Sequence, residues 1–250
     1  MHRTRYLLST LATLLLAMTT SGTVQAQAAA LPPPFKATYA VSYRGLQGGK
    51  LTMQWSRDSA PNRYVFETRV DPTMLASLFV SDNAFERSVV EATATGVRPL
   101  LWETDDGKSG QKGDGKLTFD WASRKVTGTY KGKPVELPLA PGVEDRLSIQ
   151  ISVMAALLQG REPGNIRFVN GDDIREYTYT RGKTETMQSK LGPVETIVYE
   201  STRPGSNRLS RFWHAPSLDY VPVRLEQVRK GKVETVMELI ELEREKQGSE

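Results

Sequence analysis

Apolar side chains fall on every second position through much of this chain. Tyr39, Val41 and Tyr43 alternate with Thr38, Ala40 and Ser42, and Leu51, Met53 and Trp55 alternate with Thr52, Gln54 and Ser56. After Pro61 and Asn62, Tyr64, Phe66, Thr68 and Val70 share a face; further on, Leu117, Phe119 and Trp121 oppose Lys116, Thr118 and Asp120. Val221, Val223 and Leu225 repeat the pattern against Arg224 and Glu226. Successive strand side chains point to opposite faces, so each run predicts a strand with one apolar and one wet face. Such strands belong to antiparallel sheets, because parallel sheets are covered on both sides. Asn170-Gly171-Asp172-Asp173, Arg181-Gly182-Lys183, Leu191-Gly192-Pro193 and Lys230-Gly231-Lys232 punctuate the runs with residues that accept tight-turn backbone angles. The spacing predicts about 12 to 15 strands.

Two segments break the period of two. Asp71 to Phe79 opens with Asp-Pro, a cap followed by a first-turn proline, and predicts a short helix. Asp145 to Gln159 places Leu147, Ile151, Met154 and Leu158 three and four residues apart, with Ile149, Val153, Ala156 and Leu157 extending the apolar surface around the helix. A helix apolar on most sides is buried. Two helices are too little to cover so many one-sided strands, so the sheet must cover itself. The expected fold is mainly β: a curved antiparallel meander forming a barrel or half-barrel, with one long and one short occluding helix. A two-sheet sandwich is the alternative.

The N-terminus reads as a secretory signal. Arg3 and Arg5 precede an apolar stretch from Tyr6 to Met18, and Val24-Gln25-Ala26 offers the small residues a signal peptidase reads, with cleavage expected after Ala26. The stretch is short of the roughly 20 residues of a spanning helix. No transmembrane span is expected after signal removal, and the lack of Cys excludes an N-terminal lipid-modified cysteine. Residues 27–34 form an Ala/Pro-rich lead-in, 35–242 a single barrel-like domain and 243–250 a polar tail.

Losing residues 1–26 removes Arg3 and Arg5 and leaves 31 basic against 29 acidic residues. That balance points neither to nucleic acid nor to an anionic membrane surface. An exported chain without Cys is stable on its core alone and has no thiolate chemistry or thiolate zinc site.

Candidate chemistry is sparse. His214 is the one histidine after the leader, too few for a histidine zinc site, and its bland reading is a strand-end residue beside Trp213. Asp105, Asp106 and Asp114 lack the spacing of a calcium loop and read as a solvated turn. Asp145-Arg146-Leu147-Ser148 reads first as a helix cap, with a charge pair at the barrel mouth as the functional alternative. No nucleophile elbow or phosphate-binding glycine loop is present, and no pair of acids is singled out by spacing. No catalytic residue, metal ligand or cofactor is assigned. The aromatic residues Tyr39, Tyr43, Trp55, Tyr64, Phe66, Phe119 and Trp121 fall on inward faces and fit either a filled core or a pocket for an acyl chain.

The stretch Lys183 to Tyr199, the stretch Arg211-Phe-Trp-His-Ala-Pro-Ser-Leu-Asp-Tyr-Val-Pro-Val-Arg-Leu-Glu-Gln227, the Asp145 to Ser148 helix start and the Tyr39 to Gly49 opening resemble a bacterial family of exported proteins defined as a domain of unknown function, number 3108. The resemblance spans about residues 35–242. It implies a periplasmic or cell-surface β-rich domain and no reaction. The expected function is a non-catalytic periplasmic envelope protein that holds a lipid-like guest. The alternatives are an assembly factor acting on another envelope protein and, remotely, a glycan hydrolase. A ligand site, if present, is expected near Met74, Leu75, Asp145, Arg146, Trp213 and His214, at helix starts and a late strand end.

Overall fold

The structure is a computed structural model and describes residues 30–244. The expected leader with its expected cleavage point at Ala26, residues 27–29 of the lead-in and residues 245–250 of the tail lie outside the described residues.

The alternating runs form strands β1 (Phe35–Tyr43), β2 (Leu46–Arg57), β3 (Arg63–Pro72), β4 (Phe85–Ala92), β5 (Val97–Asp105), β6 (Gly115–Asp120), β7 (Lys125–Tyr130) and β8 (Lys133–Pro138). After β9 (Val143–Asp145) and the helix α1 (Ser148–Leu158) come β10 (Gly164–Asn170), β11 (Asp173–Ser189), β12 (Gly192–Thr202), β13 (Arg208–His214), β14 (Pro222–Arg229) and β15 (Lys232–Arg244). All fifteen join one sheet, in the order β8-β7-β6-β5-β4-β3-β2-β1-β15-β14-β13-β12-β11-β10-β9. The described pairings are antiparallel except β9 with β10.

This order dictates the curvature. The chain starts mid-sheet, builds out to the β8 edge, then begins again at the β9 edge and returns to lie beside β1. Only residues 139–142 separate the two edge strands. So short a connection spans less than about 20 Å at full extension. Fourteen strand spacings of about 4.8 Å in a flat sheet would put the edges far beyond that reach. The sheet therefore curls until its ends overlap. The overlap is made by side chains: Trp102, Leu117, Phe119, Val126 and Val135 of β5–β8 pack with Val143 and Val169 of β9 and β10. Of the expected barrel or half-barrel, the structure is thus the open form, a curled sheet that no hydrogen-bonded ladder closes among the described residues.

The main core holds the inward aromatics Tyr39, Trp55 and Phe66 together with Tyr199, Phe212 and the helical Ile151, Val153 and Met154. Nearly all of α1 is buried, as its apolar coverage requires. Its start is corrected from Asp145 to Ser148, because Val143–Asp145 pairs in parallel with β10. Asp145 still caps: its Oδ1 accepts from the amides of Leu147 and Ser148, while the Asp145 amide donates to Ser148 Oγ, the reciprocal arrangement of a capping box.

The short helix is also corrected. Asp71 and Pro72 continue β3 opposite Lys50 and Gly49, and only Ala76–Leu78 forms a single 3-10 turn. Gly49 permits this, since its φ is +135° and a Cβ there would lie 2.2 Å from the Asp71 carbonyl oxygen. At the start of the chain, Leu31 packs on the core and the Pro32 carbonyl accepts from Trp55 Nε1 at 3.0 Å. At its end, β15 runs to Arg244, past the boundary expected at 242.

Candidate functional site

A cavity of about 490 Å³ lies within the curl, between β2–β5 on one side, β13–β15 on the other and the start of α1. Strand register sorts its lining by depth. Ser210, Gln227 and Thr235 stand opposite one another across β13, β14 and β15 near their loop ends. One step deeper, Phe212, Leu225 and Met237 form the next row. Met53 and Phe66 line the facing wall, with Val70 toward the loops. The cavity is polar at its outer edge and apolar beneath it.

Four acids, Glu86, Asp105, Asp106 and Glu226, and one cation, Arg146, line this wall. Glu86 of β4 and Arg146, just before α1, are 3.1 Å apart, and Trp102 Nε1 donates to the same Glu86 oxygen at 2.8 Å. The Arg146 guanidinium lies 5.8 Å from the Trp102 ring centre. Burial raises the Glu86 carboxyl above its ordinary range, and Arg146 and Trp102 pull the other way.

Two further acids lie behind the cavity wall. Asp145 Oδ2 accepts from the buried Ser88 hydroxyl, and burial lifts this carboxyl to about 6. Glu144 accepts from Ser152 Oγ through Oε1; its Oε2 is buried without a partner, and burial lifts its carboxyl to about 7.

The strand ends that frame the cavity carry an apolar rim. Met74 and Leu75 are 89% and 77% exposed, and Leu78, Phe79 and Val80 of the same loop are also exposed. Tyr43 and Leu46 flank the neighbouring β1–β2 turn, and Val233 follows the β14–β15 turn. Of the nine large apolar side chains exposed among the described residues, only Leu191 lies at the opposite end.

The sequence-selected residues therefore separate. Arg146 lines the cavity, and Asp145 anchors the segment behind it. Met74 and Leu75 stand on the rim loop, not at a helix start. Trp213 and His214 lie elsewhere. Trp213 sits beside the Arg211 and Arg224 guanidiniums and donates to Glu185 Oε1 at 2.6 Å. His214 lies beneath Phe212 in the core; its Nδ1 meets the Tyr220 carbonyl oxygen at 2.7 Å and its Nε2 has no partner. Burial pushes the His214 pKa down to about 4. The inward aromatic Tyr43 is corrected too: it is half-exposed at the rim, beneath the Arg44 guanidinium.

Sequence reasoning missed Glu86, Phe212, Leu225 and Met237. Alternation marks their faces, but their convergence depends on the register of strands distant in the chain. Asp105, Asp106 and Asp114 bring carboxylate oxygens within 4.8 Å of one another. Their oxygens accept from the loop's own amides at Gly107, Lys108 and Asp106, which suits a solvated turn.

A single curled β-sheet wrapped around one buried helix, with a cavity framed by loops, defines a β-barrel-like class of domain. The chain belongs to the family described as protein of unknown function DUF3108, whose model matches residues 38–238. Among curated proteins none matches. Among solved structures, a β-barrel-like protein of the unknown-function family DUF1849 from Brucella abortus is 15% identical, with a TM-score of 0.53 over 87% of this chain and 100% of that one. A candidate lipoprotein from Parabacteroides distasonis is 10% identical, with a TM-score of 0.39 over 86% of this chain and 99% of that one. No helix among the described residues is long and apolar enough to cross a membrane.

Proposed function

We propose that this protein is a non-catalytic component of the bacterial cell envelope that holds an amphiphilic guest in the curl of its sheet. The observation that carries the reading is the layered cavity, with Phe212, Leu225 and Met237 beneath Ser210, Gln227 and Thr235. Its volume of about 490 Å³ falls within the 300–1,000 Å³ typical of small-molecule sites. An apolar tail gains by entering the lower row, while the polar row hydrogen-bonds a head group that stays near water. The long helix serves as an occluding plug that ends the cavity.

Glu86 is held by Arg146 and Trp102, and His214 is not part of the cavity lining. The leader and the family resemblance favour the periplasm as the compartment. Assembly by strand addition is favoured less: the β8 edge carries Pro134 and Pro138, which cannot donate to an incoming strand.

Native mass spectrometry of gently purified protein, followed by lipid extraction, tests the reading. A fluorescent fatty-acid analogue is expected to bind the protein and to be excluded by Met53→Trp, which fills the cavity. Equal binding by the wild type and a correctly folded M53W protein would refute it.

A further inference from the structure

The loop from Thr73 to Val80 carries no charged residue, yet five of its apolar side chains project into solvent. Its backbone is not loose. Thr73 N donates to the Gly48 carbonyl at 3.0 Å, Ser81 Oγ to the Gly107 carbonyl at 3.1 Å and Lys108 Nζ to the Phe79 carbonyl at 2.7 Å. Gly107 lets the two loops approach, since a Cβ there would lie 2.4 Å from Ser81 Oγ. Bonds to both neighbouring loops therefore hold an apolar surface outward that would otherwise fold onto the protein. An exposed, contiguous apolar patch of this kind marks a contact surface.

Charge identifies what it contacts. The β12–β13 and β14–β15 connections lie at the same end of the sheet and meet where Lys230 N donates to the Asn207 carbonyl. Residues 203–207 and 230–231 include Arg203 and Lys230 and no acid. Arg208, Arg229 and Lys232 stand opposite one another in register at the adjoining strand ends. Glu234, the nearby acid, is paired with Arg44 at 2.6 Å. Asp71 and Asp82 flank the apolar loop, and Asp105, Asp106 and Asp114 share the adjoining β5–β6 loop with Lys108 and Lys112, so the unopposed cations of this end are those of the β12–β13 and β14–β15 hairpins across the cavity mouth. An apolar protein partner would complement the loop but not the cations; a layer of anionic head groups over hydrocarbon complements both.

We infer that this end of the sheet seats on an anionic lipid bilayer, with the Met74–Val80 side chains entering the acyl boundary and the Arg229–Lys232 hairpin meeting lipid phosphates. The cavity mouth then faces the bilayer directly. Docking does not require a guest in the cavity, so the inference can stand or fall separately from the proposed function.

Co-sedimentation of the full-chain expression product with vesicles tests it. Binding is expected to phosphatidylethanolamine vesicles containing phosphatidylglycerol, to weaken with salt and to be far weaker on phosphatidylcholine alone. Leu75→Asp with Phe79→Asp should lower the partition at least about tenfold through lost apolar burial. Lys230→Gln and Lys232→Gln should each lower it about fivefold. Leu191→Asp, at the opposite end, should change nothing. Phe79→Trp should give a blue-shifted emission quenched by brominated acyl chains. M53W should keep its vesicle binding; if filling the cavity abolished pelleting, lipid uptake and not docking would explain the signal. Failure to pellet would overturn the inference, as would an apolar loop that proves to join two copies of the chain in solution.

Discussion

The Ser88 hydroxyl on β4 donates a hydrogen bond to the Asp145 carboxylate on β9, joining two strands that stand ten places apart in the same sheet. No ladder bridges that gap, so this buried contact and the Glu86–Arg146 pair fasten the curl from within. Asp145 also accepts from the amides that open α1, which makes one carboxylate the meeting point of seam and helix.

Removing that carboxylate strands three buried donors. Asp145→Ala is expected to cost about 3–5 kcal/mol, and Ser88→Ala, which leaves the helix cap intact, about 1–3 kcal/mol. Urea unfolding should show lower midpoints at unchanged slope. Wild-type stability in both variants would mean that the seam does not hold the curl.

The overlap of the sheet ends has its own test. Gly171, in the β10–β11 turn, has a φ of +75°, and a Cβ there would lie 2.3 Å from the Tyr130 ring of β7. Gly171→Ala is expected to cost about 2–4 kcal/mol, combining backbone strain with overpacking. In a Tyr130→Ala background the steric part disappears, and the cost should fall to about 1 kcal/mol. Equal costs in both backgrounds would place the turn away from Tyr130.

Much of this fold is legible in local pattern. The alternation at Tyr39, Trp55, Phe66 and Val223 marks the inward face because it reports a strand's own geometry. Asp71-Pro72 misleads because its helix-start chemistry is real, but tertiary pairing with Lys50 and Gly49 prevails over it. The cavity is the least legible part. Phe212, Leu225 and Met237 are far apart in sequence, and alternation gives the face of a residue but not its depth along the sheet. The parity that turns Phe212 inward also turns its neighbour Trp213 away, so the sequence held grounds for leaving Trp213 out of an interior site.

Glu144 gives the stability a pH dependence of definite sign. Its carboxyl is raised from 4.5 to about 7, chiefly by burial, so the folded state holds the proton more tightly than the unfolded chain. Stability from this group is full below about pH 4.5, falls as pH rises toward 7 and levels off above. Glu144→Gln removes the charge and can still accept from Ser152. It should be more stable than wild type by about 3 kcal/mol at pH 8 and nearly indistinguishable near pH 4.5. Thermal melts at the two pH values decide it, and a gain confined to acid pH would contradict the burial assigned to this side chain.

His214 is expected to remain neutral until about pH 4, with the proton on Nδ1 donated to the Tyr220 carbonyl. Its folded value lies below the ordinary 6.5, so the stability it contributes is present above 6.5 and is lost as pH falls toward 4. Nitrogen-detected NMR reads the tautomer directly, and the only other histidine, His2, lies in the expected leader. A midpoint near 6.5 would show that the ring reaches water.

Arg146 is the one cation in the cavity wall, and Glu86 neutralises it. A guest with a carboxylate head must therefore compete with Glu86 for the guanidinium. Glu86→Gln keeps an oxygen for Trp102 but frees the charge on Arg146, and should tighten binding of a fatty-acid probe about tenfold. Arg146→Gln should weaken it by a comparable factor and leave a neutral monoacylglycerol probe unaffected. The opposition is informative because a merely structural pair would respond alike to losing either partner. If both variants shift the two probes together, the wall pair holds the cavity's shape and takes no part in choosing the head group.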